Sequence, residues 1–211
     1  MKGRFGSHLF WGSYSPLSSL SGAGLLIMAS SRFAFALVCA GALLWVYGFT
    51  ALIYSGARSI LPSKGRIVVL LFLSAFFSGL YALLTSFLNP LLIMACSFFL
   101  FLIPPWCLGS GFFESAESAD PIETVSRALL EAFIFASIII AFSLIREPLG
   151  MGTISIPGGA QGIAEIFGSR DADAFVPVRI LSVSSGGLLL LGYGTALYRY
   201  FREKYSGTSE E

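Results

Sequence analysis

The residues able to do chemistry in this chain gather at two places. The first is Cys107 within "SFFLFLIPPWCLGSGFFE", Ser97 to Glu114. Pro104 and Pro105 cannot continue a helix, Gly109 and Gly111 loosen the backbone after the cysteine, and Glu114 stands seven residues beyond it. Freed backbone at bilayer depth is costly unless protein or a polar site satisfies it. A cysteine at such a break is a candidate metal or redox ligand. The second place is Arg146–Glu147, in front of the glycine-rich stretch "GMGTISIPGG". The pair reads either as an interfacial ion pair capping a span or as a gate or ion-pathway element. Glu114 either assists cation entry or begins the acidic loop Glu114, Glu117, Asp120, Glu123. Glu131 falls in an apolar stretch, where carboxylates are expensive and often functional. Its distance of six residues from Val125 also suits the edge of a span.

The elements that must position these groups are membrane spans. The 211 residues are 55% hydrophobic and 12% charged, against about 25% charged in soluble domains. Long apolar runs, rather than ten-residue alternation, point to helices and not to a barrel. With a net charge of +1 and no basic tract, nothing suggests nucleic acid. Cys39, Cys96 and Cys107 form neither a CxxC motif nor a disulfide framework; Cys39 and Cys96 read as small buried hydrophobes. The only histidine, His8, reads as a surface residue. No Ser–His–Asp arrangement or HExxH motif supports hydrolysis. The glycine-rich stretch lacks Gly-Lys-Ser/Thr and a strand–helix setting, which argues against a phosphate loop. Lys2 and Arg4 precede a weakly apolar stretch with spans following at once, unlike a signal peptide.

Six spans can be drawn. Span one, about Ser15–Ser31, is short and broken, since Phe5–Ser31 holds 8 serines and 4 glycines. Span two is Phe33–Tyr54. Ile67–Phe113 is 47 residues without a charge, roughly 70 Å as helix, and two crossings of a core about 30 Å thick. The turn between spans three and four falls at Asn89-Pro90. Span five covers about Val125–Ile145 and span six about Val176–Tyr198. Nine lysines and arginines then lie on the side of the termini and four on the other, so both termini are expected in the cytoplasm. The fold expected is an all-α integral membrane protein, residues 1–211 forming one membrane domain. Its six helices divide into two inverted three-helix repeats, about 9–88 and 90–201, with 206–211 a polar tail. Spans one and four, the broken half-helices, then occupy matching positions, and such pairs point to a midplane site between repeats. Gly192 and Ala196 have the small-xxx-small spacing of close helix contacts.

Two segments carry a family resemblance. "REPLGMGTI", Arg146–Ile154, is similar to R-E-x-x-G-x-G-T-[LI], and Cys107 with Gly111 and Glu114 resembles a cysteine followed by glycine at four and glutamate at seven. Both belong to the six-span membrane subunits of Rnf electron-transport complexes and sodium-pumping NADH:quinone reductases, the Rnf–Nqr family. The likeness is greatest to the E subunit of Rnf and the D subunit of Nqr. It implies a homologous six-span partner of opposite orientation, further complex subunits, and a bacterial cytoplasmic (inner) membrane. It also implies a 2Fe–2S cluster shared between the paired subunits, two cysteines from each. This chain departs from the pattern in two places: "GSYSP" puts Ser15 where the first cysteine is expected, and Pro105-Trp106 precedes Cys107 where the family has Thr-Asn. Serine oxygen is a poor substitute for soft thiolate. Three outcomes are open: Ser15 ligates beside Cys107, another cysteine moves in, or no cluster is bound.

The function expected is that of a non-catalytic membrane subunit of a redox-driven Na⁺ or H⁺ pump. It would help carry electrons across the membrane and couple them to ion translocation. The alternatives are a structural, cluster-free subunit of such a complex and a small secondary transporter.

Overall fold

A computed structural model of the protein describes residues 20–57, 65–110, 121–159, 162–167 and 178–206. Within hydrocarbon the backbone must pair with itself, and the uncharged runs do so as helices. They are α1 Leu20–Ala29, α2 Phe33–Ala57, α3 Arg66–Leu88, α4 Pro90–Leu100, α5 Ile103–Gly109, α6 Pro121–Met151 and α7 Ser184–Ser206. Four stretches are long and apolar enough to cross a membrane: Phe33–Ala57, Arg66–Leu88, Pro90–Gly109 and Ile122–Met151. The protein is an all-α membrane protein, as expected. α6 is longer than the expected fifth span at both ends. α7 begins eight residues later than the expected sixth span, and glycines, tyrosines and its basic end dilute the apolar run Leu188–Leu191.

α2 is the central helix. It packs along α6 and also touches α1, α3, α4 and α5. Its small residues Ala34, Ala36, Ala40, Ala42 and Ala51 are buried and allow the close backbone approach on which helix association in lipid depends. The outer side of α3 is exposed at Phe72, Phe76 and Phe87, as suits a lipid-facing surface. α1 packs against α4 and α5, so the two interrupted segments meet each other.

The α3–α4 turn falls at Asn89-Pro90, as expected. The Asn89 side chain accepts from Leu92 N at 3.1 Å, an N-cap, and Pro90 takes the first helical position, where its missing N–H costs nothing. Asn89 Nδ2 also donates to Gly162 O at 2.9 Å.

The break in the fourth span lies earlier than the prolines suggest. α4 ends at Leu100, Phe101 and Leu102 form a turn, and Pro104 and Pro105 sit in the first turn of α5. They start a helix rather than end one. Cys107 is therefore on a helix, not on unwound backbone. Pro104 has no N–H for the carbonyl of Leu100, and Ser78 Oγ of α3 supplies the donor at 2.8 Å.

The long polar connection after α6 contains a two-stranded antiparallel sheet, β1 Ile154–Pro157 and β2 Ile163–Phe167, pairing Ser155 with Glu165 and Pro157 with Ile163. The sequence reading missed it. Isoleucines favour strands, but a search for long apolar runs passes over segments of four and five residues. A 3₁₀ turn, Arg179–Ser182, leads into α7.

Replacing Ser78 with Ala leaves the buried Leu100 carbonyl without that donor, a cost of about 1–3 kcal/mol. Asn89→Ala removes a cap, which costs about 1 kcal/mol. Both losses are expected as lower thermal unfolding midpoints of the purified chain in detergent.

Candidate functional site

Arg146 and Glu147 sit near the C-terminal end of α6 and are each 1% exposed. The ion pair expected between them does not form among the described residues. Neighbours on a helix point away from each other, and these two reach different partners. Arg146 donates through Nη1 to Ile27 O at 2.5 Å and to Ser30 Oγ at 3.2 Å. Its Nε donates to Leu181 O at 2.8 Å and its Nη2 to Val183 O at 3.0 Å. Glu147 Oε2 accepts from Phe33 N at 2.6 Å. Beside it, Ser155 Oγ accepts from Ala34 N at 3.3 Å.

The charges match the helix ends they meet. A cation belongs at a helix C-terminus and an anion at an N-terminus. Arg146 binds the Ile27 carbonyl in the last turn of α1, Glu147 the first N–H of α2, and only Ser30–Arg32 separate those ends. The pair thus fixes the α1–α2 corner and ties it to the 3₁₀ turn before α7. The rest of "REPLGMGT" serves the same joint. A Cβ at Gly150 would stand 2.8 Å from Ser182 N and 3.0 Å from Leu181 C, so only glycine admits the 3₁₀ turn. Gly152, at φ +69°, turns the chain out of α6. Thr153 Oγ1 donates to Glu147 Oε1 at 3.5 Å.

Cys107, 1% exposed, lies on α5 among residues of its own chain. The Tyr47 hydroxyl of α2 is its hydrogen-bonding neighbour and meets Ser110 Oγ at 2.9 Å. Trp106, fully buried, stacks on Phe135 of α6 with centroids 4.3 Å apart and leans on Tyr47 at 5.0 Å. The departure from the family pattern before Cys107 thus fills the core with an aromatic side chain. Cys39 and Cys96 are buried in α2 and α4.

A 2Fe–2S cluster takes four ligands, normally thiolates. Among the described residues, Cys107 is the thiol beside Tyr47 and Ser110, and it is buried among helices of its own chain. Ser15 and Glu114 lie outside the described residues, as does His8. Glu131 is ten residues into α6, about 15 Å along the axis, and close enough for its charge to act on Tyr47 and Cys107. Tyr47, Ser110 and Ser155 escaped the sequence reading. Their one signal was a hydroxyl in or beside an apolar run.

Arg146→Ala removes four hydrogen bonds at this buried joint and is expected to cost on the order of 3 kcal/mol or more. Glu147→Gln keeps the shape and loses the charge, a smaller loss of about 1–2 kcal/mol. Gly150→Ala forces the 3₁₀ turn away. Unfolding of the detergent-solubilised chain ranks the three, and an Arg146→Ala chain as stable as wild type contradicts the joint.

Comparison with curated proteins finds no match. Residues 9–193 match the family described as Rnf-Nqr subunit, membrane protein, which covers the helices of the core and both joint-forming segments. Family membership implies a place in a multi-subunit complex and is consistent with redox-driven ion pumping. This chain is a multi-pass membrane protein of the Rnf–Nqr subunit family.

Proposed function

We propose that the chain is a membrane subunit of a redox-driven Na⁺ or H⁺ pump, helping electrons across the membrane and coupling them to ion translocation. The observation that carries this reading is the Arg146–Glu147 joint. It gives Arg146, Glu147, Gly150, Gly152 and Thr153 of the family segment "REPLGMGT" a structural part and ties the end of α1, which packs against α4 and α5, to α6. The two halves of the chain are inverted three-helix repeats in this reading, with both termini on the cytoplasmic side of a bacterial inner membrane. The partner is a homologous six-span subunit of opposite orientation.

The share taken in electron transfer has two readings. In the first, Cys107, with Ser15 at the second position, is this chain's contribution to a 2Fe–2S cluster shared with the partner. In the second, the subunit is cluster-free and structural. The enclosure of Cys107 by Tyr47 and the helices of its own chain among the described residues supports the second. Arg146 and Glu147 then act as a structural joint rather than a gate.

The complex, purified with this chain, decides between them. Iron content and the electron paramagnetic resonance spectrum of the reduced complex are compared for wild type and Cys107→Ala. A cluster-free subunit leaves both unchanged. A cluster signal lost in Cys107→Ala, with assembly intact, restores the shared cluster. A chain that co-purifies with no redox subunits overturns the pump reading altogether.

A further inference from the structure

Two of the three thiols meet in the fold. Cys39 is on α2 and Cys96 on α4, helices that pack directly against each other, and both cysteines are fully buried. Tyr81 of α3 marks the level of each. Its hydroxyl donates to Val38 O at 3.1 Å, next to Cys39. The same oxygen lies 2.7 Å from where a Cβ at Gly41 would stand, so α3 closes on α2 here over a glycine. The register on the other side agrees. α3 and α4 run antiparallel from the tight turn at Asn89-Pro90, and Ser78 Oγ reaches Leu100 O at 2.8 Å. One helical turn from that contact, Tyr81 and Ala82 stand opposite Cys96. The thiols also sense each other: a charge on Cys96 acts on Cys39, and charges on both act on Tyr81. Cys107 keeps to the other group, with Tyr47.

Two sulfurs together can hold a soft metal ion or join as a disulfide. A metal takes thiolates, and two thiolates around a singly charged soft ion leave a net negative charge. Within a span such a charge is expensive. A disulfide carries no charge and no polar hydrogen, so the apolar setting that opposes the metal does not oppose the bridge. The co-reactant must share that neutrality, because it has to arrive through lipid. Tyr81 is half-buried, so one side chain separates the pair from the outer surface of the helices.

We propose that Cys39 and Cys96 form a redox-active dithiol that closes to an intramolecular disulfide against an uncharged, lipid-soluble hydrogen acceptor, fastening α4 to α2. The step breaks two S–H bonds and forms one S–S bond. Two electrons and two protons pass to the acceptor; with diamide, the N=N bond takes up both hydrogens and becomes HN–NH. The bridge ties the first half of the interrupted fourth span to the central helix, within two turns of the break at Phe101 and Leu102. It requires neither a cluster on Cys107 nor the pump reading.

The test treats the full folded chain in detergent micelles with diamide, blocks the remaining thiols, and identifies linked peptides by mass spectrometry. The expected product is one intramolecular bridge joining Cys39 to Cys96, with Cys107 still a free thiol. A bridge that fits the native packing constrains the unfolded chain, so the unfolding midpoint should rise by several degrees and fall back on reduction with dithiothreitol. Cys39→Ala and Cys96→Ala, small apolar replacements at buried positions, should each abolish the bridge and the rise. Both thiols remaining free, a bridge through Cys107 or a bridge between two chains overturns the proposal. So does a Cys39–Cys96 bridge that forms without raising the midpoint, or a rise that persists in either variant.

Discussion

Two adjacent side chains of opposite charge hold the corner on which the remaining helices depend. A helix ends with carbonyls that have no partner and begins with N–H groups that have none, and inside a membrane protein no bulk water is at hand to pair them. α1 stops and α2 starts within three residues, so both kinds of orphan crowd one corner. Arg146 and Glu147 meet them from α6, cation to carbonyl and carboxylate to amide. Neither charge is left bare, because each faces the end of a helix dipole that suits it. With that corner fixed, a helix of only ten described residues, α1, keeps its place against α4 and α5.

The same rule governs the second interruption. Pro104 withholds the donor that Leu100 expects, and Ser78 on the neighbouring helix supplies it. Interrupted helices persist in lipid when protein pairs the groups they free. Here the pairing comes from side chains on continuous helices: α3 serves the break before α5, and α6 serves the end of α1. The continuous helices form the frame, and the short ones are held to it. Cys107 is thereby enclosed, with Trp106 and Phe135 stacked on one side and Tyr47 on the other.

That frame also brings polar groups together that are far apart in the chain. Tyr47, Ser110 and Glu131 come from three segments. Each taken alone in an apolar stretch has an ordinary explanation, as a core hydroxyl or a span-edge carboxylate. Only the packing of α2 against α6 and α5 makes them neighbours.

Hydrophobicity and its interruptions were legible in the residues alone. Uncharged runs long enough to cross a bilayer, the turn at Asn89-Pro90 and the short first helix all arise from local rules, because backbone self-pairing and proline geometry act within a few residues. The family segment at Arg146 was legible too, but its use was not. A local reading pairs Arg146 with Glu147 because they are adjacent, whereas the folded chain offers each a helix end more than a hundred residues away. The helical setting of Cys107, the small sheet after α6 and the contact of Tyr47 with Ser110 were likewise decided by tertiary structure. Whether a proline ends a helix or begins one depends on which neighbour can supply the missing donor, and a buried polar group takes its meaning from the groups packed against it.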